Sequence, residues 1–175
     1  MKKTVLMLLA IFFCTTMSAQ LVTGTTYTKA KKKASALWLD LGVGKMKDID
    51  GAGIDLGLRW NRNIYQNYLS WDIIKVKAET STKYFSELIT AQALTGLRGT
   101  SPVLFGNSSL FAAFGIGYGY CFGDASAGGL DWDVSVGINI TPRIMVGVGY
   151  NDQSLSFDEG TGHMKYTSLR IGFNF

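Results

Sequence analysis

Residues 130–141 read LDWDVSVGINIT, and their alternation decides the fold. Leu130, Trp132, Val134, Val136, Ile138 and Ile140 fall on one side of an extended chain, with Asp131, Asp133, Ser135, Gly137 and Asn139 on the other. Successive side chains of a strand point to opposite faces, so a period of two over this length predicts a strand with one apolar and one polar face. Pro142 and Arg143 then form a tight turn, after which Ile144, Val146, Val148 and Tyr150 oppose Gly147, Gly149 and Asn151. Two alternating runs joined this closely make an antiparallel hairpin.

The same pattern recurs on both sides of this hairpin. Upstream it covers residues 34–44, 51–61, 67–77, 86–98 and about 110–122, and downstream it closes the chain over 163–175. Leu37, Leu39, Leu41 and Val43 share one face against Trp38, Asp40 and Gly42, and Ala52, Ile54, Leu56, Leu58 and Trp60 oppose Asp55, Gly57, Arg59 and Asn61. The third segment alternates through Leu69, Trp71 and Ile73, but its end, IIKVK, breaks the pattern. The connections near residues 47, 80, 123 and 159 read as loops of roughly 7 to 12 residues. The predicted fold is all-β, an eight-stranded antiparallel up-and-down barrel, and the even strand number is the one single-chain bacterial barrels use.

Composition agrees. Glycine reaches 21 residues, proline only 2 and aromatics 13%, which suits strands and turns. The chain opens MKKTVLMLLAIFFCTTMSAQ, with Lys2 and Lys3 before an apolar run and Ser18 and Ala19 after it, the layout of a secretory signal peptide over residues 1–19. The run falls short of the roughly 18 to 20 apolar residues of a membrane anchor helix. Its removal leaves 15 basic and 13 acidic residues, a net of +2, which gives no reason to expect nucleic acid as a partner. Cys14 leaves with it and Cys121 remains alone, so no intrachain disulfide and no cysteine-based metal site are expected. Residues 20–33, ending in Lys31, Lys32 and Lys33, read as a flexible periplasmic tail before a barrel domain at 34–175.

Alternation alone does not say which face meets solvent. In a soluble barrel the apolar face turns inward, and in a membrane barrel it turns outward around a polar lumen. The polar positions favour the second arrangement. They are rich in glycine and carry a few opposite charges, Asp40, Asp55, Asp72, Asp131 and Asp133 against Arg59 and Arg170, as a narrow interior of small residues and paired ions would. The aromatics also gather at two levels, Trp60, Phe173 and Phe175 near one rim and Tyr118, Tyr120, Phe122, Trp132 and Tyr150 near the other, where interfacial girdles belong.

The last residues carry a resemblance. Leu169, Ile171, Phe173 and Phe175 alternate up to a terminal phenylalanine, and with the signal peptide and the eight segments the chain resembles the small OmpA/OmpX-like, porin-family outer-membrane barrels of bacteria. That resemblance implies residence in the outer membrane among its lipids, recognition of this ending by the barrel-assembly machinery, and a monomer. It places the termini and the turns near Asn63, Pro102 and Pro142 on the periplasmic side. The alternation of the last strand points Arg170 into the lumen toward the aspartates of its neighbours, with Asp40 on the first strand the expected partner.

Chemistry is sparse. Some small barrels modify lipid A, and a resemblance to those implies a histidine working with serine and an acid. His163 is the one histidine and no matching motif surrounds it in sequence, so an exposed rim residue and no catalysis is the expectation. GIGYGY at 115–120 lacks the lysine and helix of a phosphate loop. Asp131 and Asp133 alone fall short of the about 6 to 8 oxygens that calcium takes, and no cofactor is expected. By simple parity Lys75, Lys77, His163 and Lys165 face outward at the rim away from the termini, a possible contact with lipopolysaccharide phosphates. The functional expectation is a structural or surface-interaction barrel with a filled polar lumen. A narrow porin-like channel, a lipid A-modifying enzyme and a soluble ligand-binding barrel are the alternatives.

Overall fold

The computed structural model describes residues 35–66, 68–85, 88–123, 126–157 and 160–175, with the side chain of residue 157 left aside. The expected signal peptide and tail lie outside these residues. Eight strands follow in order: β1 Ser35–Met46, β2 Gly53–Tyr65, β3 Leu69–Ser81, β4 Ile89–Thr100, β5 Ser109–Phe122, β6 Ala127–Thr141, β7 Ile144–Phe157 and β8 Gly160–Asn174. Each pairs antiparallel with the next, and β8 pairs with β1 to close the barrel. Closure leaves no sheet edge, and the Phe175 N–H donates to the Leu37 carbonyl at 3.0 Å across the seam.

The strands run longer than the alternation predicted. At the end away from the termini the connection at 82–88 has the expected length, whereas those at 47–52, 123–126 and 158–159 fall short of 7 residues because the strands extend into them. Thr80, expected in a loop, lies in β3 paired with Ile54 and Ile89. The cause is that the hairpin ladders continue through polar residues: β7 and β8 stay paired out to Phe157↔Gly160. Each strand has 12 to 15 residues, more than the about 9 to 11 that cross a bilayer when tilted.

The faces separate as the membrane arrangement requires. Leu56, Leu58, Val76, Leu97, Ile116, Val136, Val148 and Leu169 point outward at 43–53% exposure, while Asp40, Asp55, Arg59, Asp133 and Arg170 are among the charged residues buried inside. An outward apolar band around a polar interior is the reverse of a soluble barrel and fits a lipid surrounding.

Register shifts near strand ends lie on β2 between Asn63 and Tyr65 and on β6 between Asn139 and Thr141, and one in the middle of a strand, on β3, changes which side chains face inward. Asn61 on β2 pairs with Asp72 and Trp60 with Ile74, so Ile73 is an extra residue on β3, and β4 shows the same shift between Asp72 and Lys75. A bulge adds one residue to one strand and reverses the facing of everything beyond it. Lys75 and Lys77, expected outside, therefore turn into the lumen, where both are buried.

Candidate functional site

The lumen is layered along its axis. Toward the chain termini, Trp38, Phe111 and Met145 pack together with Ala36 beside them. At the other end Cys121, Ala127, Leu155 and Met164 form a second apolar cluster, joined by Ile49 and Leu88 from the hairpin connections. The ionic network fills the space between these two caps.

Asp133 on β6 is the hub of that network. It accepts from Lys75 at 2.8 Å and Lys77 at 3.4 Å, and Arg170 reaches it from β8 at 2.7 Å. Lys77 also pairs with Glu79, and Arg170 lies 3.9 Å from Asp55. Arg59 on β2 donates to Asp40 at 3.0 and 3.2 Å and stands 3.6 Å from Asp72. Asp131 accepts from the Asn151 amide, and Gln92 bridges Glu79 and Asn151 at 2.9 and 3.4 Å. The contacts of Asp133 with Lys75, Lys77 and Arg170, of Arg170 with Asp55 and of Gln92 with Asn151 join strands that are not neighbours in the sheet and so span the interior, while Arg59–Asp40, Arg59–Asp72, Gln92–Glu79 and Asn151–Asp131 join adjacent strands.

Asp40, Asp55, Arg59, Asp72, Asp131, Asp133 and Arg170 are thus all buried in the lumen. Arg170 engages Asp133 and Asp55 in place of Asp40. The register explains the difference: Asp40 lies opposite Gly57 and Gly172, and Arg59 beside that gap takes its carboxylate. The small residues give room for these crossings. A Cβ at Gly149 would overlap the Arg170 guanidinium, and one at Gly119 the Gln153 amide.

Arg98 on β4 went unnoticed in the sequence. It is buried, donates to Asn139 at 3.1 Å, and lies 3.7 Å from the centre of the Phe111 ring and 5.7 Å from that of Trp38. Arg59 stacks on the other aromatic contact, 5.1 Å from Trp38. The cap near the termini is therefore held to the ionic layer by cation–π contacts. Alternation sets Asn151 on the polar face of its strand but not its place in the network, and Glu79 and Gln153 lie beyond the stretches where the alternation is clean.

Outside the barrel, His163 and Lys165 do lie at the rim away from the termini, as parity predicted. The β7–β8 register sets Ser154 opposite His163 and Asp152 opposite Lys165. Asp152 Oδ1 is 3.0 Å from His163 Nδ1, and Ser154 Oγ is 3.4 Å from the same nitrogen. The partners of His163 come from the neighbouring strand, which is why no local motif revealed them. One nitrogen cannot donate to the acid and accept the serine proton together, so in this placement the three groups do not form a relay.

In the hairpin at 82–88, Lys83 reaches Asp50 at 2.7 Å, and that hydrogen bond holds its ammonium above the ordinary lysine range.

No protein-family profile and no curated protein sequence matches the chain. Among solved structures, Neisserial surface protein A superposes with a TM-score of 0.63 at 11% identity, covering 81% of this chain and 96% of its own. The outer membrane enzyme PagL superposes with a TM-score of 0.60 at 15% identity, covering 78% of this chain and 98% of its own. At these identities the likeness is one of fold, and the fold is that of the small bacterial outer-membrane β-barrels.

Proposed function

We propose that the protein is an integral outer-membrane barrel that acts as a structural or surface-interaction element and not as a pore. The observation that carries this reading is the filled interior, an ionic layer closed by an apolar cluster at each end. Open channels belong to barrels of about 16 to 18 strands, and in one of eight the side chains fill the space. The outward apolar band and the outward Leu169, Ile171, Phe173 and Phe175 support insertion and the reading of this ending as an assembly signal. Reconstituted in planar bilayers, the protein is expected to give no stable conductance steps. Large, steady steps would replace this reading with the channel one.

The grouping of Asp152, Ser154 and His163 favours a second reading, a lipid-modifying enzyme. It requires the imidazole to present its other nitrogen to the serine or to a water. On the leading reading, His163→Ala leaves the lipid A of the producing cells unchanged by mass spectrometry. A changed acyl pattern would favour the enzyme.

A further inference from the structure

With Lys75 and Lys77 inside the barrel, the basic residues of the outer rim are different ones. Lys45 is exposed on β1 and pairs with Thr167 of β8. Just beyond it, the Lys47 N–H donates to the Lys165 carbonyl at 2.8 Å, which sets Lys47, one residue past the end of β1, beside Lys165 on β8. Like charges facing each other across a sheet repel, so three lysines placed around the β1–β8 seam call for an anion. The local acids supply little. Asp48 stands 3.9 Å from Lys47 with both side chains largely in solvent, and Asp152 stands 3.9 Å from Lys165 while it holds His163 at 3.0 Å. Lys45 makes no ion pair among the described residues.

The level of these lysines is set by their neighbours. Tyr150 lies opposite Thr167, and Trp132 opposite Asp152, with the Tyr150 and Trp132 rings 5.4 Å apart. Tyr118, Tyr120 and Phe122 continue the band outward on β5. Tyrosine and tryptophan collect where hydrocarbon gives way to headgroups, and long lysine side chains at that level reach headgroup phosphates.

We propose that Lys45, Lys47 and Lys165, with His163 at their edge, form a site on the barrel's outer wall for the phosphate of a phosphorylated lipid headgroup. The proposal rests on the membrane-embedded reading above. Its chemistry is phosphate recognition by ammonium groups, and the lipid supplies the phosphate from the same layer in which the lysines stand.

The test uses the exported protein in phosphatidylcholine vesicles that contain either bisphosphorylated lipid A or its dephosphorylated form, with retained lipid measured by mass spectrometry after detergent extraction. Preferential retention of the phosphorylated form is expected. Replacing all three lysines by glutamine should lower that retention on the order of a hundredfold, from about fivefold per lysine near a charged surface. Lys45→Gln alone should lower it about fivefold. The triple arginine variant should keep it, and Lys83→Gln should leave it unchanged. Each sample is also run on a gel before and after boiling, where a closed barrel migrates differently. Equal retention of the two lipids, or full retention by the triple glutamine variant, in samples that keep the gel shift overturns the phosphate site alone. Displacement of the lipid by millimolar inorganic phosphate overturns the assignment to lipid. Loss of the gel shift in the unaltered protein overturns the embedded barrel itself, and the site with it.

Discussion

At the scale of the residue, Asp133 shows what holds the interior together. Its carboxylate faces Lys75, Lys77 and Arg170 at 2.7 to 3.4 Å, all three from other strands. Removing one partner of a buried ion pair strands the other charge, at a cost of about 3 to 5 kcal/mol. Asp133→Ala should therefore lose at least about that much in urea unfolding from detergent or vesicles, whereas Asp48→Asn, exposed and at a positive φ that Asn tolerates, should stay within about 0.5 kcal/mol. A loss under about 1 kcal/mol at Asp133 would mean that its three cations find other partners, against the cost of unpaired buried charge. The inward direction of Asp133 was legible in LDWDVSVGINIT, since alternation fixes facing. Its partners were not, because a bond across a lumen depends on how the closed sheet tilts and staggers, which a linear pattern does not contain.

At the scale of the element, β3 teaches the limit of counting by twos. Trp71 and Asp72 keep the parity of the first half, Ile73 is inserted, and Lys75, Lys77 and Glu79 then face inward between the outward Val76 and Ala78. The two halves alternate cleanly when taken apart, and IIKVK is the junction between them. Deleting Ile73 removes the inserted residue and forces one half of the strand to face the wrong way. If the second half turns, two lysines and a glutamate meet hydrocarbon, each lysine costing about 2 to 4 kcal/mol near the midplane. The expected outcome is a chain that gives no faster-migrating species on an unboiled gel, while Ile73→Val folds normally. A normal barrel from the deletion would show that the bulge is dispensable. The loops were misjudged for a related reason: Gly and Thr-rich ends such as 160–167 lack a clear apolar face, yet their backbones pair to the tip.

At the scale of the whole molecule, the number of strands, their order and their outward face were readable from the chain, because all three follow from repeated alternation and short connections. The apolar caps were not. Trp38, Phe111, Met145, Leu155 and Met164 sit at polar parity near strand ends, and there an apolar residue in the inward register closes a lumen instead of lining a bilayer. The missing conductance expected above is a property at this scale, since neither cap nor any single ion pair accounts for closure without the others.

The wall of this barrel is one strand thick, and that has an electrical consequence. Among the described residues, six carboxylates, Asp40, Asp55, Asp72, Glu79, Asp131 and Asp133, and five cations, Arg59, Lys75, Lys77, Arg98 and Arg170, are buried behind it. A single layer of backbone is a poor insulator, and hydrocarbon outside offers no water to screen what passes through. The field of any surplus charge inside would extend into the lipid around the whole circumference. The quantity that must stay near zero is therefore the sum over the enclosed charges, so exchanging the positions of an acid and a base in the lumen disturbs the molecule less at long range than altering one charge anywhere in it.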